Sequence, residues 1–230
     1  MRVLLGLEAV NEVLERLPPG EGWLGDEERA RLAAMRHPQR RAQFLAGHAL
    51  ARDLLARAEG GDWRDWRLER DAQGAPCALR RGAVSGLRIS LAHSAGQVAG
   101  AVAEVPVGVD LEHAPRERDL LALAEALYPQ EFSQWLAALD EARRRTHFYR
   151  RWTLDEAHGK ALGVGLQPKA LVRQAWLPAV EDAPHAWTWD IADGWLALAL
   201  GEPHAAPPRI EAPPLHDPSI PQAWSLRLVP

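Results

Sequence analysis

Three acidic residues and one lysine have the types and spacing of a site for metal or phosphate chemistry. On an extended strand Asp110 and Glu112 fall on the same side, because side chains alternate. On a helix Trp152, Glu156 and Lys160 rise along one face at intervals of four residues. Each pattern also has a structural interpretation without chemistry. The two acids of the strand could simply be hydrated at its end, and Glu156 and Lys160 could form a surface pair worth about 0.3–0.5 kcal/mol.

If the strand and the helix meet, Asp110, Glu112 and Glu156 offer three carboxylates to one hard divalent cation. Neighbouring carboxylates repel each other unless a cation lies between them. Magnesium suits such a site because it is usually held by a few carboxylates and by phosphate oxygens of the substrate. Lys160 is one of two lysines among 27 basic residues, and lysine, unlike arginine, can act as a proton donor or acceptor. We therefore expect a magnesium site with a proton-active lysine beside it.

Two elements must position these residues. Residues 105–112 have the alternation of a short buried strand, with Val109 and Leu111 on the side opposite the acids. Residues 150–166 have the pattern of a helix that Thr153 would cap and that Gly163 or Gly165 would end.

The order of these two elements resembles the 4'-phosphopantetheinyl transferases of the Sfp and HetI type. The family's strand signature, Gly-hydrophobic-Asp-hydrophobic-Glu, stands here as residues 108–112. Its helix signature, Trp-x-x-Lys-Glu-x-x-x-Lys, stands here as residues 152–160. One position departs from that pattern, because Asp155 occupies the place of the family's first lysine.

The resemblance implies coenzyme A contacts from the N-terminal half of the chain. Residues 40–52 are similar to the family's arginine-rich helix, so that Arg52 would face the 3'-phosphate and Arg41 would be a second contact. From the residues alone, both arginines fit a solvated helical face equally well.

Two further matches concern a turn and a histidine. Gly74 and Pro76 match the family's Gly-Lys-Pro turn, whose lysine is Ala75 here. Residues 90–94 match its Ser-x-Ser-His-Ser segment with one serine replaced, and His93 would then reach a phosphate of coenzyme A. Without the resemblance, a histidine before a hairpin turn is more often a polar turn residue.

The resemblance also implies a reaction. The 4'-phosphopantetheine arm of coenzyme A would pass to a serine of an acyl or peptidyl carrier protein of fatty acid, polyketide or nonribosomal peptide biosynthesis, with release of 3',5'-ADP. Asp110, Glu112 and Glu156 would hold Mg²⁺, and Glu156 or a metal-bound water would take the serine proton. Lys160 would stabilise the bridging phosphate oxygens or protonate the leaving group.

Two alternatives stay open. Because Ala75 and Asp155 each remove a positive charge, the chain could be a catalytically impaired homologue that binds coenzyme A or a carrier protein without transfer. An unrelated carboxylate-metal phosphohydrolase is the other alternative, although the sequence offers no second cluster of His and Asp ligands for a two-metal site.

The rest of the chain predicts an α+β fold. Strands are expected near residues 3–7, between 63 and 103 and between 172 and 200, with two helices broken near Pro38 and two more between 120 and 139. The resemblance implies two similar α/β lobes, residues 1–104 and 105–230, forming a pseudo-dimer within one chain with the active site in the cleft between them. A proline-rich tail from residue 203 is expected to lie extended on the surface, ending in a strand near Trp224.

Composition and charge narrow the class of protein. The chain of 230 residues is 47% hydrophobic and 25% charged, as in ordinary soluble domains. Its net charge of −4 does not favour nucleic acid or an anionic membrane as a partner. The sequence has no long apolar run and no signal-peptide pattern, so we expect a cytoplasmic protein. The single cysteine, Cys77, excludes an internal disulfide, and the similarity of the two halves favours a monomer.

Overall fold

Two β-sheets form the frame of the protein, whose computed structural model describes residues 1–71, 74–113, 117–179, 184–203, 208–211 and 221–228. The strands are β1 (Arg2–Ala9), β2 (Trp66–Arg70), β3 (Pro76–Arg80), β4 (Ala83–Ser94), β5 (Gln97–Ala103), β6 (Val107–His113), β7 (Gln174–Pro178), β8 (Ala186–Ile191), β9 (Gly194–Leu200), β10 (Arg209–Glu211) and β11 (Gln222–Leu228). The first sheet has the order β10-β1-β5-β4-β3-β2, and the second has the order β6-β9-β8-β11-β7.

Helices fill the connections between the strands. They are α1 (Val10–Glu15), α2 (Asp26–Ala34), α3 (Pro38–Glu59), α4 (Leu120–Leu127), α5 (Gln130–Ala137), α6 (Glu141–Ala161) and α7 (Pro168–Leu171). Pro38 begins α3, where its missing N–H has no helical partner to lose, so the predicted helix break at this residue is confirmed. The predicted α+β class is also confirmed.

The two sheets pack face to face across an apolar layer. Val3 and Leu5 of β1 meet Val109 and Leu111 of β6 in one buried cluster, and Leu198 of β9 lies in it too. These residues are 3% exposed or less. Because side chains alternate along a strand, the other face of β6 is left for Asp110 and Glu112, as the sequence predicts.

A long helix covers the outer face of each sheet. Leu50 and Leu54 of α3 pack with Ile89 of β4 on the first sheet. On the second sheet, Leu154 and Ala157 of α6 pack against alternate residues of β9. The helix signature therefore lies directly on the acidic face of β6.

The helix that carries the signature begins earlier than predicted. Asp140 caps α6 by accepting a hydrogen bond from the Arg143 N–H, so the expectation that Thr153 is the cap is wrong. The Thr153 hydroxyl instead donates to the Tyr149 carbonyl at 3.0 Å within the helix. The predicted glycine stop is confirmed, since Gly163 follows the last turn with a φ of 72°.

The C-terminal residues do more than lie on the surface. β11 is an internal strand of the second sheet between β8 and β7, and β10 pairs in parallel with β1 of the first sheet. The expected strand near Trp224 is thus confirmed. The prediction that this part of the chain only lies extended on the surface is wrong for β10 and β11, which belong to the two sheets. Residues 204–207, 212–220 and 229–230 of that predicted tail lie outside the described residues.

Three short elements were not predicted individually, namely β3, α7 and β10, although β3 lies in the region between residues 63 and 103 where strands were expected. β3 falls directly after the turn at residues 71–76, of which 72 and 73 lie outside the described residues. Within the described part of the chain, no helix combines the length and the apolar character needed to cross a membrane.

Candidate active site

Gly108 allows α6 to lie unusually close to β6. A Cβ atom at this position would come within 1.8 Å of the Ala157 carbonyl oxygen and 2.6 Å of the Ala161 nitrogen, both of them backbone atoms of α6. Only glycine fits such a contact. The glycine of the strand signature therefore sets the distance between the strand that carries Asp110 and the helix that carries Lys160.

Lys160 bridges the helix and the strand. Its Nζ donates to Asp110 Oδ1 at 2.7 Å and to the Val109 carbonyl at 3.1 Å. Asp110 is buried, at 8% exposure, and the side chain of Lys160 is half-buried. Lys160 therefore pairs with Asp110 of the strand and not with Glu156 of its own helix, so the interpretation as a surface Glu–Lys pair is wrong.

Glu112 and Glu156 lie close enough to Asp110 for their charges to interact. Burial, and then the charge of Asp110, raise the pKa of Glu112. The same two causes raise the pKa of Glu156, while the ammonium of Lys160 opposes them. The structure therefore brings the three predicted carboxylates and the lysine into one electrostatic group.

Trp152 contributes to this group in a way that sequence reasoning missed. Its indole interacts favourably with the charged form of Glu112, and the guanidinium of Arg118 lies 5.9 Å from the centre of its ring. Both Trp152 and Arg118 lower the pKa of Glu112 and favour its charged form. The only sequence signal for this contact was the position of Trp152 on the same helical face as Glu156.

The carboxylates do not form a ready-made metal cage. Over the residues that the structure describes, no group of three His, Cys, Asp or Glu side chains stands in a geometry that would hold a metal ion. Lys160 binds one oxygen of Asp110 in this arrangement. What the site offers is a set of mutually repelling carboxylates that a cation would stabilise.

His93 is exposed near the end of β4, and charged groups from both sheets and their helices influence its pKa. Burial of part of the ring, and then the positive charges of Lys160 and Arg40, lower the pKa of His93, while Asp110 raises it. Lys160 and Asp110 belong to the second sheet and its helix, whereas Arg40 lies in the first turns of α3. His93 thus lies within electrostatic reach of the acidic group.

The predicted turn at Gly74 and Pro76 lies at the same end of the first sheet. Gly74 is exposed with a φ of 84°, a conformation that suits glycine, and Pro76 begins β3. Because Cys77 pairs with Arg88 in an antiparallel ladder, the chain before Cys77 runs alongside the end of β4 that carries His93.

Arg52 is not placed for the predicted contact with coenzyme A. It is fully buried, at 0% exposure. Its guanidinium donates to the Trp66 carbonyl at 3.1 Å and the His48 carbonyl at 3.0 Å, and it forms an ion pair with Glu28. Burial opposes ionisation of Glu28, but its hydrogen bonds to His48 and Arg52 lower its pKa to about 2. Arg52 therefore ties α3 to α2 beside the first sheet, and its buried position does not suit the predicted contact with coenzyme A.

Arg41 is also committed to partners of its own. It donates to the Leu32 carbonyl and to Glu21, the latter at 3.2 Å. The neighbouring Arg40 is exposed and lowers the pKa of His93. Of the two adjacent arginines, the structure thus brings Arg40 rather than Arg41 to the group around His93.

The side chain of Asp155 is bound by partners outside the acidic group. It is 3% exposed, and its carboxylate accepts hydrogen bonds from Arg151 Nε at 2.7 Å and from Trp176 Nε1 at 2.8 Å. Arg150, the residue before Arg151, pairs with Asp190 at 2.7 Å. The Asp155 carboxylate is thus paired with Arg151, although its charge still contributes to the raised pKa of Glu156 after burial and the charge of Asp110.

A separate cavity of about 620 Å³ lies on the far side of α6. Arg151 and Leu154 line it from α6, together with Trp135 of α5 and Trp176 of β7. Glu156 and Lys160 are not among its lining residues. We therefore do not identify this cavity with the candidate site.

The fold and the site together define a mixed α+β protein in which an acidic strand and a lysine-bearing helix form a centre suited to phosphate chemistry. The sequence model of the 4'-phosphopantetheinyl transferase superfamily matches residues 106–184, which include both signatures. The chain is 30% identical over 171 residues to the 4'-phosphopantetheinyl transferase HetI of Nostoc sp., covering 72% of this chain and 71% of that protein.

Two other relatives agree with this match. The Synechocystis sp. protein slr0495 is 29% identical over 178 residues, covering 74% of this chain and 72% of the relative. The 4'-phosphopantetheinyl transferase psf-1 of Bacillus pumilus is 27% identical over 153 residues, covering 66% and 62% of the two chains. The chain belongs to the 4'-phosphopantetheinyl transferase superfamily.

Proposed function

We propose that this protein transfers the 4'-phosphopantetheine arm of coenzyme A to a serine hydroxyl of an acyl or peptidyl carrier protein, with Mg²⁺ as cofactor and 3',5'-ADP as the second product. The serine oxygen forms a bond to the phosphorus that carries the pantetheine. The bond from that phosphorus to the bridging oxygen breaks, and the bridging oxygen leaves with 3',5'-ADP.

The observation that carries this proposal is the contact between Lys160 and Asp110. It joins the two family signatures at 2.7 Å, and burial, followed by the charge of the same Asp110, raises the pKa of Glu112 and of Glu156. A fixed cation among carboxylates, half-shielded from water, is an arrangement that can stabilise the charge of a breaking pyrophosphate.

The donor set fits magnesium in its chemistry. Asp110, Glu112 and Glu156 supply the hard carboxylate oxygens that Mg²⁺ prefers, and their mutual repulsion is a cost that binding of a divalent cation would remove. When bound, Mg²⁺ would neutralise the oxygens of the pyrophosphate. The three carboxylates are therefore the proposed ligands.

Two residues of this group are the proposed catalytic residues. The raised pKa of Glu156 makes it a stronger base than an ordinary glutamate, and it would accept the proton of the carrier serine. Lys160 would donate a hydrogen bond or a proton to the bridging oxygen as it leaves. Both act from adjacent turns of α6, so they can face the same phosphate.

Coenzyme A would bind across the two lobes, with its phosphates between His93 and the acidic group. His93 and Arg40 are the proposed phosphate contacts from the first lobe, because the pKa of His93 responds to both Lys160 and Arg40. The turn at Gly74 and Pro76 would contact coenzyme A at the same end of the sheet. With a net charge of −4, the local cations would have to attract this anionic substrate.

The remaining features of the proposal follow from this assignment. The boundary between the lobes would fall near residues 104 and 105, with the active site in the cleft between them. The protein would work in the cytoplasm as a monomer, without nucleic acid or membrane as a partner.

Intact-mass spectrometry of an apo carrier protein tests the transfer directly. The carrier is mixed with this protein and coenzyme A, with and without Mg²⁺. We expect a magnesium-dependent mass gain of one phosphopantetheine arm, and none with Asp110→Ala, which removes the anchor of Lys160. If several carriers gain no mass although coenzyme A binds, the chain is instead a binding module for coenzyme A. Full activity of Asp110→Ala would refute the site assignment.

A further inference from the structure

Two serines of β4 hold the strand that carries the acidic residues. Ser90 Oγ accepts a hydrogen bond from the Val109 N–H at 3.0 Å. Four residues along the same strand, Ser94 Oγ accepts from the His113 N–H at 3.0 Å and donates to the His113 carbonyl at 3.2 Å. The two attachment points lie on either side of the segment from Asp110 to Glu112.

These contacts replace a backbone ladder. Among the described strands β6 pairs with β9 alone and forms the edge of the second sheet, while β4 pairs with β3 and β5 in the first sheet. An edge strand carries a row of N–H and C=O groups that need partners. Serine hydroxyls of the other sheet satisfy two of these N–H groups in β6.

Val109 connects this attachment to the lysine. Its N–H donates to Ser90 and its carbonyl accepts from Lys160. The first lobe therefore fixes the N–H of Val109 through β4, and the second lobe fixes its carbonyl through α6. The following residue is Asp110, whose carboxylate binds the same ammonium. Movement of Val109 away from Ser90 would therefore move the partners of Lys160.

We infer that Ser90 and Ser94 are positioning residues that set the distance between the coenzyme A contacts of the first lobe and the acidic group of the second. His93 lies between them on β4, immediately before Ser94. The two hydroxyls thus keep His93 and Asp110 in one geometry. This inference rests on the proposed function for its catalytic consequence, whereas the attachment itself can be measured without any substrate.

The test compares Ser90→Ala/Ser94→Ala with Ser85→Ala. Ser85 is a matched control because it lies on the same strand and its hydroxyl also accepts from a backbone N–H, that of Leu87 at 3.1 Å, while it donates to Glu59 at 3.0 Å. Neither of these partners belongs to β6. Loss of a serine hydroxyl as such is therefore common to both variants.

Hydrogen exchange of the free protein is the first measurement. We expect the amides of residues 107–113 to exchange faster in the double alanine variant and to stay unchanged in Ser85→Ala. Calorimetry then gives the affinity for coenzyme A with and without Mg²⁺. We expect the strengthening by Mg²⁺ to shrink, and kcat/KM for transfer to fall by about tenfold or more, because small displacements of reacting groups are costly.

Each outcome decides a separate point. If the unsubstituted protein neither binds coenzyme A nor transfers its arm, the proposed function fails, and the exchange measurement still judges the attachment. If the double variant exchanges normally, or keeps the full effect of Mg²⁺ on coenzyme A binding, the positioning inference is overturned. Should the double variant not fold, Ser94→Ala decides in the same assays, with Ser94→Thr, which keeps the hydroxyl, expected to behave like the unsubstituted protein.

Discussion

Substitution of Gly108 by alanine isolates the contact on which the candidate site depends. The added Cβ would lie 1.8 Å from the Ala157 carbonyl oxygen, about 1.6 Å short of the 3.4 Å at which ordinary contact begins. The obstacle is backbone, so no side chain can rotate to make room. The helix must move away from the strand, or the strand must bend.

Either movement acts on the site. The hydrogen bond between Lys160 and Asp110 is 2.7 Å long, and a displacement of about 1 Å or more takes it beyond hydrogen-bonding distance. Overpacking of this kind costs roughly 1–3 kcal/mol of the free energy of unfolding. A misplacement of about 1 Å can also reduce a catalysed rate by about 100-fold. We expect both losses in Gly108→Ala.

Gly86→Ala is the matched control, since Gly86 also lies in a strand but has no atom within 4 Å of the position that an added Cβ would take. Chemical denaturation gives the free energy of unfolding, and the transfer assay gives kcat/KM. We expect the control to differ little from the natural chain in both. If Gly108→Ala matched the control in stability and activity, the close approach of α6 to β6 would not be what the glycine provides, and this reasoning would be refuted.

Lys160→Arg keeps the positive charge but replaces an ammonium that can give up a proton by a guanidinium that cannot, so we expect near-complete loss of transfer in steady-state kinetics. Substantial remaining activity would exclude proton donation by Lys160. Asp155→Asn leaves Arg151 without its buried ionic partner and should lower the free energy of unfolding by about 3–5 kcal/mol in denaturant titrations. Asp155→Lys should likewise destabilise the fold rather than tighten coenzyme A binding, which calorimetry can check. Burial, and then the charge of His185, lower the pKa of His158 from 6.5 to about 4. His158 therefore binds a proton more readily in the unfolded chain than in the folded protein. Stability that is full above pH 6.5 should therefore fall as the pH drops from 6.5 towards about 4, and His158→Gln should weaken that dependence whereas the exposed His37→Gln should not.

The parts of the site that the sequence predicts are those encoded by local periodicity. Asp110 and Glu112 share a strand face because they are two residues apart, and Glu156 and Lys160 share a helix face because they are four apart. The buried side of β6 follows from the same alternation. These inferences need no knowledge of distant neighbours, and the structure agrees with them.

The parts that the sequence could not predict depend on distant partners. Arg52 has the spacing of a helical surface residue, yet Glu28 lies 24 residues away and Trp66 lies 14 residues away in sequence. Asp155 finds Trp176 at a separation of 21 residues. The spacing of residues along one helix does not reveal these distant partners. A charged side chain is expected to face solvent, but a buried ion pair allows it to face the interior instead.

The partner of Lys160 shows how a tertiary contact overrides a local rule. Within α6 the i, i+4 rule favours a pair with Glu156, which in an exposed helix is worth about 0.3–0.5 kcal/mol. Asp110 is the stronger partner because it is buried, where a lower effective dielectric strengthens the attraction between charges. That choice exists only because Gly108 lets the helix approach the strand, so one residue without a side chain decides which carboxylate the lysine binds. Burial, and then the charge of Asp110, raise the pKa of Glu156, which is the property that a general base requires.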